Sequence, residues 1–115
     1  MTMQKRIAKS LDQAKPHYTV LVIGSGYGAG VAASRLARAG QDVAVLERGK
    51  ERLPGEYPNK LADAQDAMQI NAKGGRIGAP DALFEVHVND DQYALVGCGL
   101  GGTSLINANV ALELD

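Results

Sequence analysis

The stretch from Val20 to Glu47 constrains the fold more than any other part of the chain. It opens with Val20-Leu21-Val22-Ile23, an all-apolar, largely β-branched run of the kind buried on both faces of a parallel sheet. Gly24-Ser25-Gly26 follows at once, where the backbone can turn tightly. Val31 to Ala39 is rich in Ala, Leu and Arg and reads as a helix. Gly40 ends it, and Asp42 to Leu46 reads as a second strand with Glu47 at its tip. The order is strand, helix, strand, which is one βαβ unit.

Gly24, Gly26 and Ala29 occupy the three positions of a G-x-G-x-x-G/A fingerprint. Gly24 allows the turn, Gly26 lets a pyrophosphate approach the backbone, and Ala29 keeps the helix close to the strands. Ala33 keeps the helix face small, and Val43 faces the core. The helix N-terminus offers free N–H groups and the positive end of its dipole to phosphate. Glu47, about 20 residues on, stands where an acid meets ribose hydroxyls. A carboxylate there accepts hydrogen bonds from a free 2′-OH and repels a 2′-phosphate. NADP is therefore disfavoured despite neighbouring Arg48, while FAD and NAD both stay open.

The chain has 115 residues, enough for one domain but short for a complete dinucleotide enzyme. Its formal net charge of −1 gives no basis for binding nucleic acid or an anionic membrane surface. Cys98 is the single cysteine, so neither an internal disulfide nor a metal-type cysteine cluster is expected. No apolar run is long enough to span a membrane. The basic N-terminus lacks the apolar core of a secretory signal, which makes a cytoplasmic location the default expectation.

Residues 1–17 read as a leader, with Ile7, Leu11 and Ala14 on one stripe of a short amphipathic helix or loose arm between Met3 and Ala14. His17 reads as a solvated residue ahead of the first strand. Leu53 to Pro58 reads as an ordered loop, in which Glu56 or Tyr57 would stand near an adenosine group. Asn59 is a candidate N-cap for a helix reaching about Ala72, with Leu61, Ala64 and Met68 inward and Asp63 and Asp66 outward. Lys73 to Pro80 reads as a glycine-rich loop without the ending of a P-loop. Leu83 to Val88 alternates as a half-buried strand, Asn89 to Gln92 is turn chemistry, and Tyr93 to Val96 returns as a hairpin. His87 falls on the polar side of that strand, which makes it a surface histidine.

The second informative stretch runs from Val96 to Asn107. Gly97, Gly99, Gly101 and Gly102 leave the backbone bare, so its N–H groups can line an anion or a flat ring. Thr103 and Ser104 add hydroxyls, and Leu100, Leu105 and Ile106 are anchors that a mere linker would not carry. Cys98 reads as a small buried residue.

The two motifs in this order, G-S-G-Y-G-A-G followed by L-E-R-G and then G-L-G-G-T-S-L-I-N, resemble the glucose–methanol–choline family of flavin-dependent oxidoreductases. The G-S-G-Y-G-A variant and the P-G-E-Y-P loop are most similar to its cholesterol-oxidase-like branch. The resemblance covers Tyr18 to Asp115 and implies an α/β fold: a Rossmann-like FAD/NAD(P)-binding βαβ unit, then a helix and a β-hairpin, in an incomplete domain. It implies that residues 18–115 form the N-terminal part of an FAD-binding domain whose substrate domain lies elsewhere. Gly24, Gly26 and Ala29 would hold the FAD pyrophosphate, and Glu47 the adenosine ribose. Gly101, Gly102, Thr103 and Ser104 would lie along the pyrophosphate, ribityl chain and flavin, with Asn107 close to the isoalloxazine. Some members attach FAD through a histidine just before the Gly-Gly pair. Leu100 holds that position here, so non-covalent FAD is expected.

The family oxidises an alcohol by passing hydride to the flavin. Its base and that base's partner come from a C-terminal part that has no match in these residues, so no catalytic residue is assigned. The expected partners are FAD and, in the full-length protein, an alcohol or sterol. The alternatives are an NAD-dependent dehydrogenase fragment, which would not need the second glycine cluster, and a non-catalytic remnant that keeps the fold alone.

Overall fold

The computed structural model of the chain describes residues 5–107. The start of the leader at Met1 and the end of the expected domain at Asp115 lie outside the described residues. β1 (Val20–Ile23) and β2 (Val43–Leu46) are parallel, paired from Val20 with Val43 to Ile23 with Leu46. Parallel neighbours need a long crossover, and α1 (Tyr27–Arg38) supplies it. Ala29, Ala33 and Leu36 form the half-buried stripe of α1, at i, i+4 and i+7. The helix begins at Tyr27 rather than near Val31, because Gly26 serves as an extended N-cap and the early glycines are carried into the helix. It ends as expected at Gly40 (φ +81°), where the Gly40 amide bonds the Ala37 carbonyl and the Gln41 amide bonds that of Leu36. This is the two-bond closure that glycine favours.

A second sheet holds the rest of the chain. Its strands are β3 (Met68–Ala72), β4 (Gly75–Ile77), β5 (Phe84–Val88) and β6 (Tyr93–Gly97), in the order β4-β3-β5-β6. The β5–β6 hairpin is the one expected from the alternation, paired from Phe84 with Gly97 to Val88 with Tyr93. The expected helix from Asn59 to Ala72 is corrected. α2 spans only Leu61–Asp66, follows Lys60 without a side-chain cap, and gives way to β3. Residues with helical spacing become a strand because β3 pairs on both sides, antiparallel to β4 and parallel to β5. Tertiary pairing outweighs local propensity here. The loop expected from Lys73 to Pro80 is in part ordered as well, for it contains β4.

Of the two readings of the leader, its described residues take the loose arm and not the amphipathic helix. Leu11–Gln13 makes one 3-10 turn, and Ile7 and Leu11 are exposed with no surface to bury their stripe. Lys5 to Ser10 instead runs as a non-helical arm. Both carboxylate oxygens of Glu51 accept from it, one from the Ile7 amide (3.1 Å) and one from the Ala8 amide (2.9 Å). Arg6 pairs with Glu56.

Among the described residues, the buried ones are Ala82, Leu83, Cys98 and Gly99 together with Gln69 and Glu85. Full burial of Leu83 is worth about 2 kcal/mol. Gln69 Nε2 donates to the carbonyls of Pro80 (3.2 Å) and Ala82 (2.9 Å), which ties the loop before β5 to β3. β5 is half-buried as its alternation predicts, yet its most buried residue is Glu85, on the polar face.

Candidate functional site

The site grows from the end of β1. Gly24 turns the chain at φ +88°, and its amide bonds the Leu46 carbonyl at 2.7 Å. α1 then starts with no side-chain cap and no acidic residue in its first turn. Its leading amides and the positive end of its dipole are left to whatever lies in front of them. A Cβ placed on Gly24, Gly26 or Gly28 would meet nothing, so this backbone is bare and approachable.

The second glycine cluster closes against this turn. A Cβ on Gly102 would lie 2.8 Å from the Gly26 Cα, so the two backbones pack directly on each other. The Gly101 amide donates to Ser25 Oγ at 3.0 Å, across 76 residues of sequence. Ser25 Oγ lies 2.5 Å from Glu47 Oε2 and 3.4 Å from the Gly99 carbonyl. The other oxygen of Glu47 accepts the Gly49 amide at 2.7 Å. Gly49 is itself pressed on the second cluster, for a Cβ there would come within 2.5 Å of the Gly99 Cα.

Gly24, Gly26, Ala29, Glu47, Gly101 and Gly102 are thus gathered at one place. Thr103 and Ser104 turn toward their own loop. Thr103 Oγ1 accepts the Gly97 amide at 3.3 Å, and Ser104 Oγ donates to the Gly101 carbonyl at 2.8 Å. Asn107 is exposed at the C-terminal end of the 3-10 helix Gly102–Ile106. A groove of about 1450 Å³ runs beside the site, lined among others by Ser25, Ala29, Glu47, Leu100, Arg52 and Glu56. Glu56, one of the two residues expected near an adenosine group, is on its wall. The arm from Arg6 to Lys15 forms another side of it.

Arg48 is not a free cation beside Glu47. Its Nη1 donates to the Pro80 carbonyl at 3.1 Å and its Nη2 to Glu85 Oε2. Glu85 also accepts from Asn71 Nδ2 at 2.9 Å, and His87 Nε2 is 3.3 Å from it. Burial pushes the Glu85 carboxyl upward, but the hydrogen bond and charge of Arg48 outweigh burial and hold it below the usual range. The same pair raises the Arg48 guanidinium. Burial pushes the Cys98 thiol up, as suits an inert, packed cysteine. Sequence reasoning missed Gln69, Glu85 and the linking role of Ser25. Ser25 carried a signal, a hydroxyl between two glycines of a phosphate-type turn, whereas nothing local marks Glu85 as buried.

The FAD binding domain family matches residues 19–53, from β1 through the charged connection after β2. Cholesterol oxidase of Mycobacterium tuberculosis is 36% identical over 95 residues, covering 83% of this chain and 16% of that protein. Long-chain-alcohol oxidase FAO3 of Arabidopsis thaliana is 36% identical over 94 residues, 82% of this chain and 11% of the relative. FAO4B of the same plant is 32% identical over 93 residues, with 81% and 11% covered.

Over four fifths of its length the chain is similar to these members of the glucose–methanol–choline family. It spans about a sixth or less of the length of the curated relatives that it matches. Its α/β architecture agrees with the FAD-binding fold of that family. The local chemistry also fits the cofactor: bare, uncapped amides suit a pyrophosphate, and a carboxylate at the tip of β2 suits hydroxyls. Among the described residues, no helix is long and apolar enough to cross a membrane.

Proposed function

We propose that these residues form the Rossmann-like, FAD-binding part of an oxidoreductase acting on CH–OH groups, with an alcohol or a sterol as substrate of the whole protein. The observation that carries the reading is the contact of the two glycine motifs, with Gly101 bonded to Ser25 and Gly102 packed on Gly26. An NAD site requires only the first motif, whereas the larger tricyclic isoalloxazine and ribityl chain of FAD have use for a second bare loop. The names of the relatives, cholesterol oxidase and long-chain-alcohol oxidase, support the substrate class.

In this reading the α1 amides, with Gly24, Gly26 and Ala29, hold the pyrophosphate, and Glu47 receives the adenosine ribose hydroxyls. Gly101, Gly102, Thr103 and Ser104 line the path toward the flavin, and Asn107 lies near its ring. FAD, once bound, supplies a hydride acceptor. Arg48 is committed to Glu85 and Pro80, so it is not free to offset the repulsion between the Glu47 carboxylate and a 2′-phosphate. This favours FAD over NADP. Leu100 borders the groove with no nucleophilic atom, in keeping with non-covalent attachment.

The test is the visible spectrum of the desalted protein, followed by heating and separation of the precipitate. Flavin bands that pass into the supernatant are the expected result. Flavin retained in the precipitate would overturn the non-covalent assignment. A colourless protein that takes up no added FAD would leave an NAD-dependent fragment or the non-catalytic remnant as the better reading.

A further inference from the structure

Ser25 sits at a junction that the fingerprint itself does not require. A hydroxyl has one proton to give and two lone pairs to receive with. Its acceptors are Glu47 Oε2 at 2.5 Å and the Gly99 carbonyl at 3.4 Å. The nearer, charged oxygen takes the proton, because hydrogen bonds to ionised acceptors are the shorter and stronger ones. The lone pair is used by the Gly101 amide at 3.0 Å. The result is a directed chain from the Gly101 N–H to Ser25 Oγ, then from the Ser25 O–H to Glu47 Oε2. The Gly49 amide holds the other carboxylate oxygen at 2.7 Å.

We propose that Ser25 is a positioning residue that fixes the Glu47 carboxylate and the Gly101 loop in one register, so that the two ends of the dinucleotide site are set together. This rests on the FAD reading above and adds a residue to it. The physical argument is geometric. Glu47 has rotatable side-chain bonds and, among the described residues, the Gly49 amide and Ser25 to orient it. Gly101 is left-handed (φ +112°) and is joined on both sides to glycine or leucine, with no side chain of its own to anchor it. One hydroxyl removes freedom from both. Ordering both groups before the cofactor arrives lowers the entropy that binding must supply.

The positioning role predicts a coupling, not only a loss. Ser25→Ala removes the hydroxyl, Ser25→Thr keeps it, and Glu47→Gln keeps the acceptor shape without the charge. FAD affinity of the chain is read by quenching of flavin fluorescence, with folding of each variant checked by circular dichroism. Ser25→Ala is expected to weaken FAD about tenfold, and Ser25→Thr to restore most of that. In a Glu47→Gln background the same Ser25→Ala change is expected to cost less than in the parent, about threefold, because the charged acceptor is gone while the Gly101 bond to Ser25 remains. Amide hydrogen exchange of Gly101 in the cofactor-free chain is the second measurement, and Ser25→Ala is expected to speed it. Additive losses in the cycle, or Gly101 exchange unchanged by Ser25→Ala, would overturn the proposal while leaving FAD binding intact. A parent chain that quenches no flavin would overturn the FAD reading and the cofactor role of Ser25 with it; faster Gly101 exchange in Ser25→Ala would then show the bond alone.

Discussion

Gly49 and Gly30 place the same substitution in opposite settings. At Gly49 a methyl group would overlap backbone atoms of Cys98 and Gly99, which cannot swing aside as a side chain can. Gly49→Ala is expected to destabilise the protein by about 3 kcal/mol, seen as a lower urea midpoint at unchanged slope. At Gly30 a methyl meets nothing and the backbone is helical. Gly30→Ala is expected to add about 0.5–1 kcal/mol in the same measurement. Arg48 gives a third prediction. Its removal leaves Glu85, only 7% exposed, without its cation. Arg48→Ala is expected to cost about 2 kcal/mol at neutral pH, less than for a fully buried pair because Arg48 is half in water. The sign with pH follows from the titration. In the parent chain the Glu85 pKa is lowered, so its contribution is full above the ordinary carboxylate range and is lost as pH falls through the depressed value. Without Arg48, burial works against the charge, so the deficit of the variant should narrow as the pH falls and Glu85 takes up its proton. Urea midpoints from pH 7 to pH 3 check this.

At the scale of elements, what could be read from sequence depended on whether the signal was local. The βαβ unit was legible because each part carries its own chemistry: an apolar run for β1, glycines for the turn, small residues for the face of α1, Gly40 for its end. The β5–β6 hairpin was legible for the same reason, through alternation and a polar turn. β3 was not, because Met68 to Ala72 is a strand only by virtue of two neighbours that local spacing does not show. Nor was the inversion of β5, where the polar face is covered by Arg48 from a distant connection. Of the two readings of the leader the arm holds and the helix does not, since its stripe has nothing to pack on, while Glu51 offers its amides two acceptors. This gives a prediction for the arm. Glu51→Ala should speed amide exchange at Ile7 and Ala8 and speed protease cleavage between Lys5 and Ser10, while the urea midpoint shifts by about 1 kcal/mol or less.

For the molecule as a whole, the notable surface is the side of the first sheet turned away from α1. Leu21, Ile23 and Leu46 share that face and are 53%, 73% and 40% exposed. Among the described residues, neither β1 nor β2 has a strand on its outer edge. In a chain that spans about a sixth of its relative's length, an apolar face joined to open strand edges favours association when the chain is studied by itself. The chain should bind a hydrophobic dye and sediment faster as its concentration rises, and Ile23→Lys should reduce both effects. The candidate site is less exposed to such association, for its glycines are closed on each other. Its residue types could be read in sequence, but their meeting could not, because bare backbone leaves no complementary pattern in the partner segment.

The bond from Gly101 to Ser25 spans 76 residues, and it has a consequence in time. A contact so far apart along the chain must wait for the closure of a long loop, which sets it among the slow events of folding. The first motif emerges before the second in synthesis, yet its turn lacks the second glycine loop until the second sheet has been made and folded back. The βαβ unit therefore passes through a stage in which its strands are formed and its site is still half a site. Added cofactor should then leave the early refolding phase unchanged and act on the late one, when both glycine loops are present to hold it.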